Sequence, residues 1–255
     1  MKKKTTIINI AIIVLVCILG VSGYNLFKDL NDARESSKQV EELEKIINQA
    51  PVDETEYITP YDKYESVYRM NNDFVGWIKI DGTELDYPVM QTKDNPEYYL
   101  RKNFDKSYNY HGTPFIDYKC TPGESDNIII YSHNMDDGSM FSAVEDYMSK
   151  AFMEEHRYIT FDTMDEFATY EVICVFKVDI RTTDFDFVSA VDFETEEDFN
   201  EFISTAKAHA PYESGVSATF GDKLLTLATC EYTLEDGRCV VIAKQISSAD
   251  KMAVE

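Results

Sequence analysis

The run Lys223-Leu224-Leu225-Thr226-Leu227-Ala228-Thr229-Cys230, continued by Glu231-Tyr232 and returning through Gly237-Arg238-Cys239-Val240-Val241, decides how the chain is read. Its apolar, β-branched first half reads as a buried strand that ends at a cysteine. A polar turn follows, and Val240 to Ala243 reads as the return strand. Arg238 stands at the start of that return, so a hairpin brings Cys230 and Arg238 to one end of the sheet. A thiol beside a permanent cation is where a reactive cysteine of lowered pKa is expected. A buried, inert cysteine fits the same pair, and other parts of the chain have to decide.

Outward from this hairpin the pattern stays mainly β. Strands are expected over Phe74–Ile80, Glu84–Met90, Thr113–Asp117, Asn127–Tyr131, Tyr158–Asp162, Tyr170–Asp179, Lys223–Thr229 and Cys239–Gln245. Asp81-Gly82 between the first two is a strong hairpin signal. Helices are expected near Met140–Met148, Ser149–His156 and Thr195–His209, with Thr195 as N-cap and Glu196, Glu197 and Asp198 in the first turn. Many short strands with few helices argue for a closed barrel.

Four histidines are available as proton carriers. His156 and His209 fall at amphipathic helix ends, where a surface histidine is the default. His111 sits in a turn ahead of Thr113–Asp117; it is a second candidate for the proton role, but the expectation is a solvent-exposed side chain. His133 stands just past the strand Asn127–Tyr131, so it emerges at a strand end as Cys230 does.

Thr226-Leu227-Ala228-Thr229-Cys230, with Arg238 downstream and Tyr131-Ser132-His133-Asn134-Met135 upstream, resembles the signature of the sortases, and of class B in particular. The likeness extends over residues 71–245. It takes in Gly76-Trp77-Ile78, Tyr87-Pro88-Val89, Asp94-Asn95 with Tyr98-Tyr99-Leu100, and Gly112 followed by Phe115-Ile116-Asp117. The resemblance implies a closed eight-stranded β-barrel with peripheral helices, including one between the sixth and seventh strands that Thr195–His209 matches. It implies a cysteine transpeptidase in which Cys230 is the nucleophile, His133 the acid–base group and Arg238 the stabiliser of negative charge. The backbone N–H of Glu231 is a candidate second oxyanion donor. Leu100 and Thr229 become candidates for lining the substrate groove, although strand and core packing accounts for them equally.

The implied partners are surface proteins bearing a C-terminal sorting signal and an amine of a lipid II-type cell-wall precursor, with no cofactor. A pilin-polymerising enzyme or a hydrolase on the same scaffold is the alternative, and a non-catalytic surface-binding module is a third reading. Two residues depart from the class B pattern: Ser132 replaces a glycine before the histidine, and Ala228 replaces a serine.

The bulk numbers agree with this. A chain of 255 residues with 44% apolar and 13% aromatic residues is that of a folded globular protein. A net charge of −23 excludes a nucleic-acid partner, which needs a basic footprint. Asp184, Asp186, Asp192 and Glu194 lack the spacing of a calcium loop and read as a solvated acidic face, so no metal is expected. Apart from Cys17, the cysteines 120, 174, 230 and 239 are scattered, and free thiols are favoured over a Cys230–Cys239 bridge.

Lys2, Lys3 and Lys4 precede an apolar run from Ile7 to Val21 that extends to Phe27, long enough to span a bilayer. The lysines should stay cytoplasmic and leave the rest of the chain outside. A cleaved signal peptide competes, but the apolar character continues past Val21-Ser22-Gly23. The expected organisation is therefore residues 1–27 as signal-anchor, 28–60 as helical stalk and linker, and 61–255 as catalytic domain. Within the stalk, the Asn25–Asn48 pattern reads as a spacer helix packed partly on its own domain.

Overall fold

The computed structural model describes residues 2–49, 57–231, 233–234 and 236–253. Helix α1 (Lys2–Asn48) leads into the short strand β1 (Tyr57–Ile58) and helix α2 (Pro60–Met70). Strands β2 (Phe74–Lys79), β3 (Asp86–Met90), β4 (Phe115–Ile116) and β5 (Asn127–Tyr131) follow, with a 3-10 turn over Tyr98–Arg101. Helices α3 (Ser142–Asp146) and α4 (Lys150–Glu155) precede β6 (Tyr158–Thr163) and β7 (Phe167–Asp179). Helix α5 (Glu196–His209) then separates β7 from β8 (Leu224–Glu231), β9 (Gly237–Ala249) and β10 (Met252–Ala253). Eight strands close a barrel in the order β2-β3-β4-β5-β8-β9-β7-β6, and β1 pairs with β10 outside it. The pairs β3–β4 and β5–β8 are parallel; the others in the barrel are antiparallel.

The hydrophobic pattern explains the layers. Along β8 and β9, Leu225, Leu227, Cys239, Val241 and Ala243 fill the barrel interior. The alternate residues Leu224, Ala228, Val240 and Ile242 face outward under Phe199, Phe202, Ile203 and Ala206 of α5. Both faces are therefore covered, which is why these strands read as continuous apolar runs. Each large side chain so buried contributes about 1.5–3 kcal/mol. The cover is pinned at its start, where the Thr195 hydroxyl accepts from the Asp198 N–H at 3.1 Å.

Turn chemistry fixes the β2–β3 hairpin as expected from Asp81-Gly82. The Ile80 N–H donates to Leu85 O at 2.8 Å, and Gly82 takes φ +79°. Gly76 answers a different need: a Cβ there would lie 2.2 Å from the Asp162 carbonyl oxygen on the neighbouring strand. Strands β7 and β9 run longer than the apolar pattern suggests. Their polar ends, such as Ser247 and Ser248 opposite Thr169 and Ala168, pair through backbone groups alone.

Helix α1 is continuous from the segment read as an anchor into the segment read as a stalk. Ile10–Phe27 is exposed along its length, and α1 is long and apolar enough to cross a membrane. Further along, Leu43 and Ile47 are buried against Tyr64 and Val67 of α2 and Phe74 and Trp77 of β2, so this end of α1 docks on the barrel. Of the segment 28–60 read as stalk and linker, residues 50–56 lie outside the described residues. Tyr57 and Ile58 form β1, and Thr59 caps α2 in a capping box with Asp62.

Candidate active site

The β8–β9 register sets Cys230 directly opposite Arg238 and Thr229 opposite Cys239. Facing residues in an antiparallel pair share a side of the sheet, and neighbours along a strand take opposite sides. Cys230 and Arg238 therefore emerge together, both half-buried, while Cys239 points inward and is fully buried. That geometry rules out a Cys230–Cys239 bridge, and neither is in a disulfide. Arg238 is held near its own backbone, Nη1 donating to the Gly237 carbonyl at 2.8 Å.

His133 arrives from the other side of β8. Strand β5 runs parallel to it with Tyr131 beside Ala228, so two residues further His133 comes level with Cys230. Neighbouring strands lie about 4.8 Å apart. Three bonds extend the pairing past the strand end. The Ser132 N–H donates to Ala228 O at 3.4 Å, and the Thr229 hydroxyl donates to Ser132 O at 2.9 Å. Asn134 Nδ2 donates to the Cys230 carbonyl at 3.2 Å and to Glu145 Oε2 at 2.9 Å, and Lys177 pairs with Glu145 at 2.6 Å. The sulfur, the imidazole and the guanidinium thus stand on three adjacent strand ends at one rim.

The imidazole has its own housing. His133 Nε2 lies 2.8 Å from the Leu100 carbonyl in the 3-10 turn. A carbonyl only accepts, so Nε2 carries the proton in the neutral ring and Nδ1 is the nitrogen left for proton exchange. The Tyr110 ring stacks on His133 at 5.9 Å and 2°, and the Arg101 guanidinium lies 4.3 Å over the Tyr110 ring. Burial lowers the His133 pKa below its usual value, and the nearby Arg101 and His111 push in the same direction; the Leu100 carbonyl opposes them. Gly112 lets this housing close: at φ +66°, a Cβ would come 2.5 Å from Leu100 O and 2.6 Å from Tyr99 O.

His111, expected in solvent, is instead buried at 2% exposure, with Nε2 3.1 Å from Asp137 Oδ2. The turn that carries it is folded over by the Asn109 side chain, which accepts from the His111 N–H at 2.9 Å. His156 Nδ1 donates to the Asp81 carbonyl at 2.8 Å and His209 Nδ1 to the Thr205 carbonyl at 2.9 Å. Leu100 reaches the site through its backbone carbonyl. Thr229, a candidate for the groove, is buried at 2% with its hydroxyl engaged by Ser132, a strand-tying position. Glu231 ends β8 opposite Gly237.

Of the two departures from the class B pattern, Ala228 is buried beneath α5, and Ser132 adopts no left-handed backbone. Its Oγ is buried with no hydrogen-bond partner. Among the described residues no group of three or more His, Cys, Asp or Glu side chains could hold a metal ion. Tyr110, Arg101, Asn134 and Glu145 escaped the sequence reading. Asn134 alone carried a signal, its adjacency to His133.

A profile described as Sortase domain matches residues 78–246. Sortase B of Staphylococcus aureus is 32% identical over 249 residues, covering 96% of this chain and 98% of that protein. Sortase B of Listeria monocytogenes is 38% identical over 189 residues, 73% of this chain and 75% of that protein. Among solved structures, the Staphylococcus aureus sortase B–substrate complex superposes with a TM-score of 0.74 at 31% identity, over 87% of this chain and 99% of that one.

Proposed function

Since the chain belongs to the sortase family, in class B, and is a cysteine transpeptidase, we propose that Cys230, His133 and Arg238 carry its chemistry. The observation that bears most weight is the register: Arg238 faces Cys230 across β8–β9, and β5 leaves its pairing with β8 at Tyr131 beside Ala228, two residues before His133 and Cys230.

In this reading the Cys230 thiolate bonds to the carbonyl carbon of the scissile peptide. The C–N bond then breaks and the departing amine takes the proton of His133 Nδ1, leaving a thioester. An incoming amine bonds to the same carbon, the C–S bond breaks, and His133 takes the proton that the amine sheds. Arg238 stays charged throughout and steadies the oxyanion of each tetrahedral state, with the Glu231 N–H as second donor. Burial lowers the His133 pKa and so disfavours the doubly protonated ring that protonating the departing amine uses. Leu100 acts by fixing the tautomer, and its side chain stays a candidate for the groove.

The acyl donor is a surface protein with a C-terminal sorting signal, a reading supported by the substrate complex of the Staphylococcus aureus relative. The acceptor is an amine of a lipid II-type precursor. The exposed apolar face of Ile10–Phe27, behind Lys2, Lys3 and Lys4, supports a single-pass anchor with the barrel outside the cell. Incubating the chain with a sorting-signal peptide and an amine tests the reaction. Ligation of the amine is the expected product. Cleavage without amine incorporation would make it a hydrolase instead.

A further inference from the structure

We infer that Asp32 of α1, acting through Tyr110, positions His133, so that the helix leading out of the apolar segment is part of what sets the imidazole. The inference rests on the role proposed above for His133.

The contacts run in one line. Asp32 is buried at 7% exposure although it is a carboxylate on a helix that is otherwise largely exposed at this height. Its Oδ2 accepts from the Tyr110 N–H at 3.3 Å, and its backbone carbonyl accepts from Asn109 Nδ2 at 2.8 Å. One turn earlier on the same helix face, Lys28 Nζ lies 5.2 Å over the Tyr108 ring. Three consecutive residues of one loop are thus held by two positions of α1. Charged groups on a long helix seldom bury themselves without a partner, and here the partner is a backbone N–H.

What the loop delivers is the Tyr110 ring. It remains 42% exposed, so core burial does not account for its place. Its contacts are the parallel stack on His133 and the Arg101 guanidinium above it. The stack fixes the plane of the imidazole, and Leu100 O fixes its rotation within that plane. Neither restraint uses Nδ1. Small misplacements of a proton-transfer group cost rate steeply, so a strut of this kind has kinetic value. Lys28 directly follows the apolar segment, which puts the strut within about two helical turns of the membrane edge in the anchored protein.

The test uses the full chain in detergent micelles with a sorting-signal peptide and an amine, comparing Tyr110→Ala, Tyr110→Phe, Asp32→Ala and His133→Ala. Tyr110→Ala should lower kcat about tenfold and leave KM for the peptide within about twofold. It should also move the acid limb of the pH–rate profile to higher pH, because opening the stack admits water to a ring whose pKa is lowered chiefly by burial. The charged and titratable groups acting on that ring, Arg101 and His111 with its partner Asp137, are the same in all these proteins.

Tyr110→Phe keeps the ring and should restore both readouts. Asp32→Ala should act in the same direction but only about threefold, since the Asn109 bond to the helix backbone survives. Wild-type kcat and an unmoved limb in Tyr110→Ala would overturn the inference. So would a lowered melting temperature with an unmoved limb, which would mark a purely structural residue. The same result in Asp32→Ala alone would remove α1 from it. Full activity in His133→Ala would instead sink the proposed function itself.

Discussion

One register step separates two regions of the β8–β9 pair. Thr229 and Cys239 face each other inside the molecule, both buried and both bonded to neighbouring backbone, Thr229 to Ser132 O and Cys239 Sγ to Val144 O at 3.6 Å. Cys230 and Arg238 face each other one step later and are half open to solvent. The interior is settled by strand alternation and complete cover. The rim is settled by what arrives from elsewhere: His133 from β5, the Leu100 carbonyl from the 3-10 turn, Tyr110 from a loop tied to α1. The same two strands therefore pass from a sealed interior to a half-open rim, divided at a single residue.

The sharpest way to break this comparison is to delete the rim sulfur. Cys230→Ala should abolish turnover in the ligation assay while the melting temperature stays within a few degrees of wild type. Loss of fold would show that the rim and the interior are not separable. His133→Ala and Arg238→Ala come next, each expected to cost about 10²–10⁴ in kcat/KM, the range for removing an acid–base or an oxyanion group. Full rate in either would take that residue out of the mechanism.

Two glycines then separate the regions by stability. Gly76→Ala forces a Cβ onto the Asp162 carbonyl within the barrel wall, and a loss of about 3 kcal/mol or more is expected in denaturant melts. The protein that remains folded should turn over at the normal rate per molecule. Gly112→Ala strains a left-handed position against Leu100 O and Tyr99 O, costing about 1–3 kcal/mol and also lowering kcat, because the carbonyl that orients His133 is displaced. Equal kinetics in the two variants would erase the distinction.

Smaller effects follow from protonation. The His133 pKa is lowered in the folded protein, so the unfolded chain takes up that proton first as pH falls below about 6.5. This contribution to stability is complete above that value and is lost as pH falls toward the folded pKa. His133→Asn should therefore flatten the fall in melting temperature between pH 7 and pH 5.5. An unchanged slope would mean that the imidazole is not buried as described. Smallest of all is Ser132→Ala, which removes a buried hydroxyl with no partner and should leave stability unchanged or raise it by up to about 1 kcal/mol.

The barrel was legible because its code is local. Alternation in β2, a Gly-containing turn at Gly82 and the apolar runs of β5 and β8 each fix a strand without reference to the rest. The positions of Cys230, His133 and Arg238 were legible for a related reason: each sits within three residues of such a strand end. The housing was not. Tyr110 and His133 lie in one stack, yet no periodicity links them, and the bond from Asp32 to the Tyr110 N–H spans most of a hundred residues of sequence. His111 was misjudged for the same cause, since a turn residue is buried only when another segment closes over it, here Asn109 and the Asp137 loop.

The opposed facing of Cys230 and Cys239 has an experimental use. Burial drives the Cys120 thiol up to about 11 and that of Cys174 up to about 12, and Cys239 is sealed inside the barrel. Cys17 lies in the apolar helix. A charged, water-borne alkylating reagent applied to the chain reconstituted in a bilayer should therefore deposit one adduct per folded molecule, on Cys230, and reach Cys120, Cys174 and Cys239 only after denaturation. The mass spectrum of such a reaction would count working enzyme directly, with no substrate present.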